Sequence, residues 1–188
     1  MQPHGAVLLE RAAELAAVSQ FAVETSSGTG RLVLVEGAAG FGKTSLLNHL
    51  VRQFPEHGMR VLTARAAEQE RTHAFGVVRQ LFERLVADRP LPSGAGAVVA
   101  TLFASDAARG ELRPGQLLHG LYWALADLCQ DGPVALVVDD AHEADDASLG
   151  FVAYLARRQA DLPVLTLLGA RPAVPDAWAR RELATLRA

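Results

Sequence analysis

One cysteine, Cys129, is all the thiol chemistry this 188-residue chain has, so no internal disulfide can form. A lone cysteine fits a reducing cytoplasm. It lies near Leu125 and Leu128 at helical spacing, so a place in the core is expected. The six histidines and this cysteine show no zinc-ligand spacing. Neither sign of charge dominates: 18 Lys and Arg stand against 21 Asp and Glu, a formal net charge of −3. That balance argues against direct nucleic-acid binding by this segment through bulk electrostatics. Apolar runs are broken by charge or glycine well short of a membrane span. The opening Met1-Gln2-Pro3-His4-Gly5 has no basic stretch followed by an apolar run, so no signal peptide is read. The expectation is a soluble cytoplasmic protein without membrane contact. A Gly-x-Ser-x-Gly elbow is also lacking, as is the Leu-Ser-Gly-Gly-Gln signature of transporter ATPases.

What is present is a hydrophobic chain, 50% apolar by composition, of a length suited to one domain over 1–188. A helix is predicted over 8–24, from Leu8, Ala12, Leu15 and Val18 at three- and four-residue spacing. A nucleotide-binding core over 31–188 follows it. Strands are predicted at Arg31–Glu36, Arg60–Arg65, Val134–Val138 and Pro163–Gly169, each apolar throughout rather than alternating. Helices are predicted over 43–54, 74–87, 97–103, 115–130, 146–159 and 176–187, and an irregular segment over 105–114. Strands alternating with helices imply an α/β fold of three layers, a parallel sheet covered by helices on both faces.

Between the first strand and its helix lies Gly37-Ala38-Ala39-Gly40-Phe41-Gly42-Lys43-Thr44-Ser45, which has the spacing of a phosphate-binding loop. Context carries the reading: the motif follows a buried strand and opens a helix. Gly37, Gly40 and Gly42 let the backbone adopt positive φ and bring its N–H groups close to phosphate oxygens. The helix N-terminus adds partial positive charge. Lys43 is placed to reach the β- and γ-phosphates, and Thr44 to offer its hydroxyl to Mg²⁺. Phe41 could pack under the nucleotide or beside the sheet. The cofactors implied are ATP or ADP with Mg²⁺.

A phosphate loop leaves the metal half-coordinated, and such folds supply a carboxylate from the tip of another strand. The run Val134-Ala135-Leu136-Val137-Val138 ends in Asp139-Asp140, at the strand end where ligands collect in open α/β sheets. Asp139 is the expected metal-side carboxylate. Asp140 is expected to orient or deprotonate an attacking water. Asp145 or Asp146 is expected to cap the next helix. Arg171, just past the last strand, could sense the γ-phosphate or pair with a surface carboxylate. His142 could hydrogen-bond in the site, link nucleotide state to a neighbouring element, or lie on the surface.

Several stretches also carry a resemblance. They are Leu8-Leu9-Glu10-Arg11 with Glu14-Leu15, the strand and loop from Leu32 to Leu47, Ala74 to Leu81, and Val137 to His142 with Ala144-Asp145 and Ser148-Leu149. In this order they resemble the ATPase domain of large ATP-binding LuxR-type transcriptional regulators of actinobacteria. Those belong to the STAND class of signal-transduction ATPases, related to AAA+ proteins. The resemblance implies a P-loop NTPase sheet of order 1-4-3-2, with the strand around Val164–Leu168 between those of Arg31–Glu36 and Val134–Val138. It implies that Arg171 matches a sensor arginine, and that Lys43, Thr44, Asp139 and Asp140 match phosphate, magnesium and catalytic positions. The segment around Leu8 to Arg11 would lie near the adenine. Glu143 stands where the family usually has tryptophan. Against the resemblance, the fifth strand, the helical lid, the sensor repeats and the helix-turn-helix are missing, which implies either a fragment of a larger regulator or a small protein that has lost the regulatory parts. DNA would then be reached only through a C-terminal domain, and self-association is implied too. A nucleotide-binding module without turnover and a small P-loop kinase are the alternatives.

Overall fold

The four apolar runs pair into one sheet, buried throughout in its two central strands and partly exposed in its two edge strands. A computed structural model describes residues 11–88, 95–103 and 113–172. In it β1 (Arg31–Glu36), β2 (Arg60–Arg65), β3 (Val134–Asp139) and β4 (Val164–Ala170) form a sheet of order β1-β4-β3-β2. All three pairings are parallel. Every residue of β3 and β4 is buried, which central parallel strands require. β4 lies between β1 and β3, the place that the resemblance implies for it.

Register levels the strand ends. Glu36 pairs with Ala170, Arg65 with Asp139, and Val138 with Leu168. The carboxyl ends of all four strands therefore open on one edge of the sheet.

Side-chain alternation in the strands divides the core into two. Val134, Leu136 and Val138 face one layer, Ala135 and Val137 the other. The first layer is α3 (Gly76–Asp88), α4 (Ala95–Phe103), α5 (Pro114–Leu128) and α6 (Asp146–Ala156). Within it Phe82 and Phe151 meet edge to face at 6.3 Å, both fully buried. The second layer is α1 (Ala12–Ser26) and α2 (Lys43–Gln53), through Val18, Ala22, Leu46, Leu47 and Leu50.

Some boundaries differ from expectation. α1 begins at Ala12, which is exposed; the inward stripe is Leu15, Val18, Ala22 and Thr25. α2 ends at Gln53, where a 3-10 turn, Phe54–His57, carries Pro55 in its first positions and closes on Gly58 at φ 70°. α3 starts at Gly76 rather than Ala74, because Phe75 is held at φ 62°. α6 stops at Ala156 and a 3-10 turn, Gln159–Asp161, follows. There Gln159 turns inward to accept the Thr166 hydroxyl at 3.1 Å, satisfying two buried polar groups at once. Residues 1–10, most of the irregular segment predicted over 105–114 and the helix predicted over 176–187 lie outside the described residues.

Candidate functional site

At the carboxyl edge of the sheet the chain leaves β1, makes a glycine turn and enters α2. Gly40 and Gly42 have φ of 81° and 71°, values at which a side chain would be strained. Gly42 is the N-cap of α2, with no side chain to satisfy the helix's first N–H groups. Among the described residues, the backbone N–H groups of Gly40, Gly42, Lys43 and Thr44 take no backbone carbonyl as partner. A row of free donors at a helix N-terminus is an anion site. Lys43 is buried along its length, and its Nζ donates to the carbonyls of Gly37 at 2.7 Å and Ala38 at 2.9 Å. The ammonium is thus carried at the loop mouth, where phosphate oxygens outcompete neutral carbonyls for a cation.

Thr44 is the first contact between loop and acids. Its hydroxyl donates to Asp139 Oδ2 at 2.8 Å, across 95 residues of sequence. Asp139 is buried, and its Oδ1 accepts the N–H of Asp140 at 3.0 Å. Space around it is tight: a methyl on Gly169 would stand 3.1 Å from Asp139 Oδ1 and 2.8 Å from Leu47 Cδ1. Among the described residues no group of three His, Cys, Asp or Glu side chains could hold a metal by itself. A hydroxyl with one carboxylate instead fits a cation that completes its shell with phosphate and water oxygens, the habit of Mg²⁺.

Asp140 differs from its neighbour in backbone and in partner. Its φ is 52°, left-handed for a non-glycine residue, and Glu143 N–H closes the turn onto its carbonyl at 2.7 Å. Its Oδ2 lies 3.3 Å from Arg65 Nη2, while Arg65 Nε is 4.0 Å from Asp139 Oδ2. Arg65 therefore lies across both acids from the end of β2. Sequence reading missed it; its one signal is a terminal charge on a strand, and the neighbour that matters comes from sheet order. Thr44, Asn48, Thr63, Arg65, Gln80 and Asp139 are among the residues lining a cleft of about 310 Å³ beside the acids.

The remaining expected residues fall as follows. Arg11 precedes α1 and donates Nη2 to the Phe41 carbonyl at 2.8 Å, with Nη1 on Glu14 at 2.8 Å. It thereby touches the loop; Leu8 to Glu10 lie outside the described residues. Phe41 is 64% exposed, which overturns packing beside the sheet: the turn carries its ring outward. Ala38, Ala39 and Ser45 are exposed along the loop and first turn of α2. Arg171 is exposed just after β4, and no carboxylate among the described residues pairs with it. Its backbone N–H donates to His142 Nδ1 at 3.4 Å.

His142 is buried, which overturns a surface position. Burial holds its pKa below the ordinary imidazole value; Glu143 and Asp140 oppose that shift, and Arg171 and Lys43 add to it. Asp145, not Asp146, caps α6: its Oδ1 accepts Ser148 N–H at 2.9 Å and Phe75 N–H at 2.8 Å. The second bond is what holds Phe75 in its left-handed conformation. Cys129 packs against the core, and burial pushes its thiol up to about 12, so it stays protonated and inert. Among the described residues no helix is long and apolar enough to cross a membrane.

Comparison with known proteins agrees with this geometry. The AAA ATPase domain family matches residues 7–167. An uncharacterized protein of Rhizobium meliloti (strain 1021) is 25% identical over 199 residues, a match covering 93% of this chain and 19% of the relative. The fold is similar to that of Cdc6p from Pyrobaculum aerophilum, with a TM-score of 0.59 and 16% identity over 95% of this chain and 44% of that one. It is also similar to the Aeropyrum pernix ORC2 protein, solved as ADPNP–ADP complexes, with a TM-score of 0.56 and 16% identity over 96% of this chain and 44% of that one. The chain thus spans less than half the length of each of these proteins.

Proposed function

The chain belongs to the AAA ATPase domain family, and on that premise we propose that it is an ATP-binding, slowly hydrolysing switch domain of a LuxR-type signal-transduction regulator. The observation that carries the nucleotide reading is the meeting of loop and acid: Thr44 on Asp139 at 2.8 Å, with buried Lys43 at the mouth of a loop of free N–H donors.

In this reading the backbone N–H groups of Gly40, Gly42, Lys43 and Thr44 and the Lys43 ammonium bind the phosphates. Thr44 and Asp139 would hold Mg²⁺, which when bound neutralises phosphate charge at the scissile bridge. Asp140 orients a water and accepts its proton. Arg171 offers its guanidinium to the γ-phosphate. Arg11 steadies the loop through the Phe41 carbonyl. Slow turnover is favoured by Arg65, whose guanidinium occupies the Asp140 carboxylate that a water would otherwise meet. The regulator reading is supported by the order of the resembling stretches; the relative of which this chain covers 19% carries a similar segment within a much longer protein. Self-association, and DNA contact through a further domain, belong to the same reading, as does a cytoplasmic location.

Calorimetry with ATP, ADP and GTP, with and without Mg²⁺, tests the core of it. Lys43→Ala is expected to weaken ATP binding by about 1.5–3 kcal/mol, the worth of a hydrogen bond to a charged group. Absence of binding by the wild type, or equal binding by the variant, sinks the nucleotide reading. Phosphate release by Asp140→Asn then divides hydrolysis from binding: a variant as active as wild type removes Asp140 from the chemistry.

A further inference from the structure

Between the acidic strand and β4 lies a cluster that phosphate binding does not require. His142 occupies the 3-10 turn Ala141–Glu143, two residues after Asp140. Its Nδ1 accepts the backbone N–H of Arg171 at 3.4 Å, which assigns the ring proton of the neutral form to Nε2. Nε2 lies 3.2 Å from Glu143 Oε1, but not in hydrogen-bonding geometry. On the main-chain side, the His142 carbonyl accepts Arg71 Nη2 at 2.7 Å, and the same nitrogen is 3.2 Å from Glu143 Oε2. Arg71 belongs to the segment that follows β2. The exits of β2, β3 and β4 therefore meet on one residue.

Two further observations mark the cluster. Among the described residues four buried side-chain nitrogen or oxygen atoms lack a hydrogen-bond partner, and two of them, Arg71 Nε and His142 Nε2, are here. Under-satisfied buried polar groups cost stability, and their concentration in one place calls for a reason other than packing. Glu143 carries the carboxylate that faces both.

We propose that His142 is a positioning residue: clamped by Arg71 and Glu143, its ring ties the Arg171 backbone to the turn that carries Asp140, and so fixes the spacing of arginine and acid. Asp140 and Arg171 come from different strands, and no described side-chain bond joins them directly. The Glu143 N–H bond to the Asp140 carbonyl, at 2.7 Å, makes the His142 turn one rigid unit with the acid. The inference rests on the ATP reading above, with both groups acting at the terminal phosphate. A misplacement of about 1 Å between groups that act together costs about a hundredfold in rate.

The test compares His142→Leu with His142→Asn in the full chain, reading phosphate release, the ratio of ADP to ATP dissociation constants, and melting temperature. Leucine keeps bulk and removes the acceptor; asparagine places Oδ1 where Nδ1 accepts. Leucine is expected to lower kcat tenfold or more, within the range that such a misplacement allows, and to bring the ADP-to-ATP ratio close to one, with asparagine restoring both to within about threefold. A leucine variant that folds and keeps both wild-type values overturns the proposal, as does an asparagine variant equally defective. Should leucine not fold, Arg71→Met loosens the same clamp: lowered kcat at unchanged KM, or a lost ADP-to-ATP preference, supports the linkage, and wild-type values on both overturn it. A wild-type chain that binds no nucleotide defeats the ATP reading itself, whereas variants identical to a binding wild type defeat only this inference.

Discussion

Asp139 and Asp140 are adjacent carboxylates with different surroundings. The first is buried against Gly169 and takes the Thr44 hydroxyl; the second is turned out by a left-handed backbone toward Arg65. His142 close by is a buried imidazole faced by Glu143, Asp140, Arg171 and Lys43. With its folded pKa depressed, the unfolded chain binds the extra proton first, so this group contributes stability above about pH 6.5 that is lost as pH falls toward the folded pKa. Urea denaturation from pH 8 to pH 5 is expected to show a smaller loss for His142→Asn than for wild type. Equal slopes would show that the imidazole titrates alike in both states.

At the scale of elements, Asp145 joins two helices. It caps α6 through Ser148 N–H and holds the entry of α3 through Phe75 N–H, with Val77 N–H more distant at 3.5 Å. A cap alone is worth about 1 kcal/mol. Removing a buried acceptor from two N–H groups at once is expected to cost Asp145→Ala on the order of 2–4 kcal/mol in denaturant unfolding. Asp146→Ala, exposed in the first turn of the same helix, is expected to stay within about 0.5 kcal/mol. Similar losses for the two would place the cap at the wrong aspartate.

At the scale of the molecule, register sets Glu36 beside Ala170 and Arg65 beside Asp139, within a residue of each other, so four loops share one edge. A ligand gripping that edge binds only the folded chain. ATP with Mg²⁺ at a hundred times its dissociation constant is expected to add about 2.7 kcal/mol of stability. For a domain of this size that is a rise of several degrees in melting temperature. Lys43→Ala is expected to abolish most of the rise at the same nucleotide concentration. A shift equal in both proteins would put the nucleotide elsewhere.

Much of this was legible before any fold was known, because local physics decides it. Uniformly apolar runs required a parallel sheet with two covered faces. Gly40, Gly42 and Lys43 between a strand and a helix required a loop of free N–H donors, and Asp139 followed from the strand that ends in it. Helix ends were less legible: Gln159 and Phe75 turn on partners at Thr166 and Asp145, which distance in sequence conceals. Arg65 and Arg71 were not legible at all. A charge at the end of a strand, or in the loop beyond it, looks like any solvated arginine until β2 is laid beside β3 and register sets Arg65 opposite Asp139. The glycine loop and the acid at the strand tip could be read along the chain, since both are short-range consequences of backbone freedom and burial. Which cations meet the acids, and the burial of His142 between two strand exits, could not, because those contacts depend on strand order, and strand order is settled by the packing of the whole sheet.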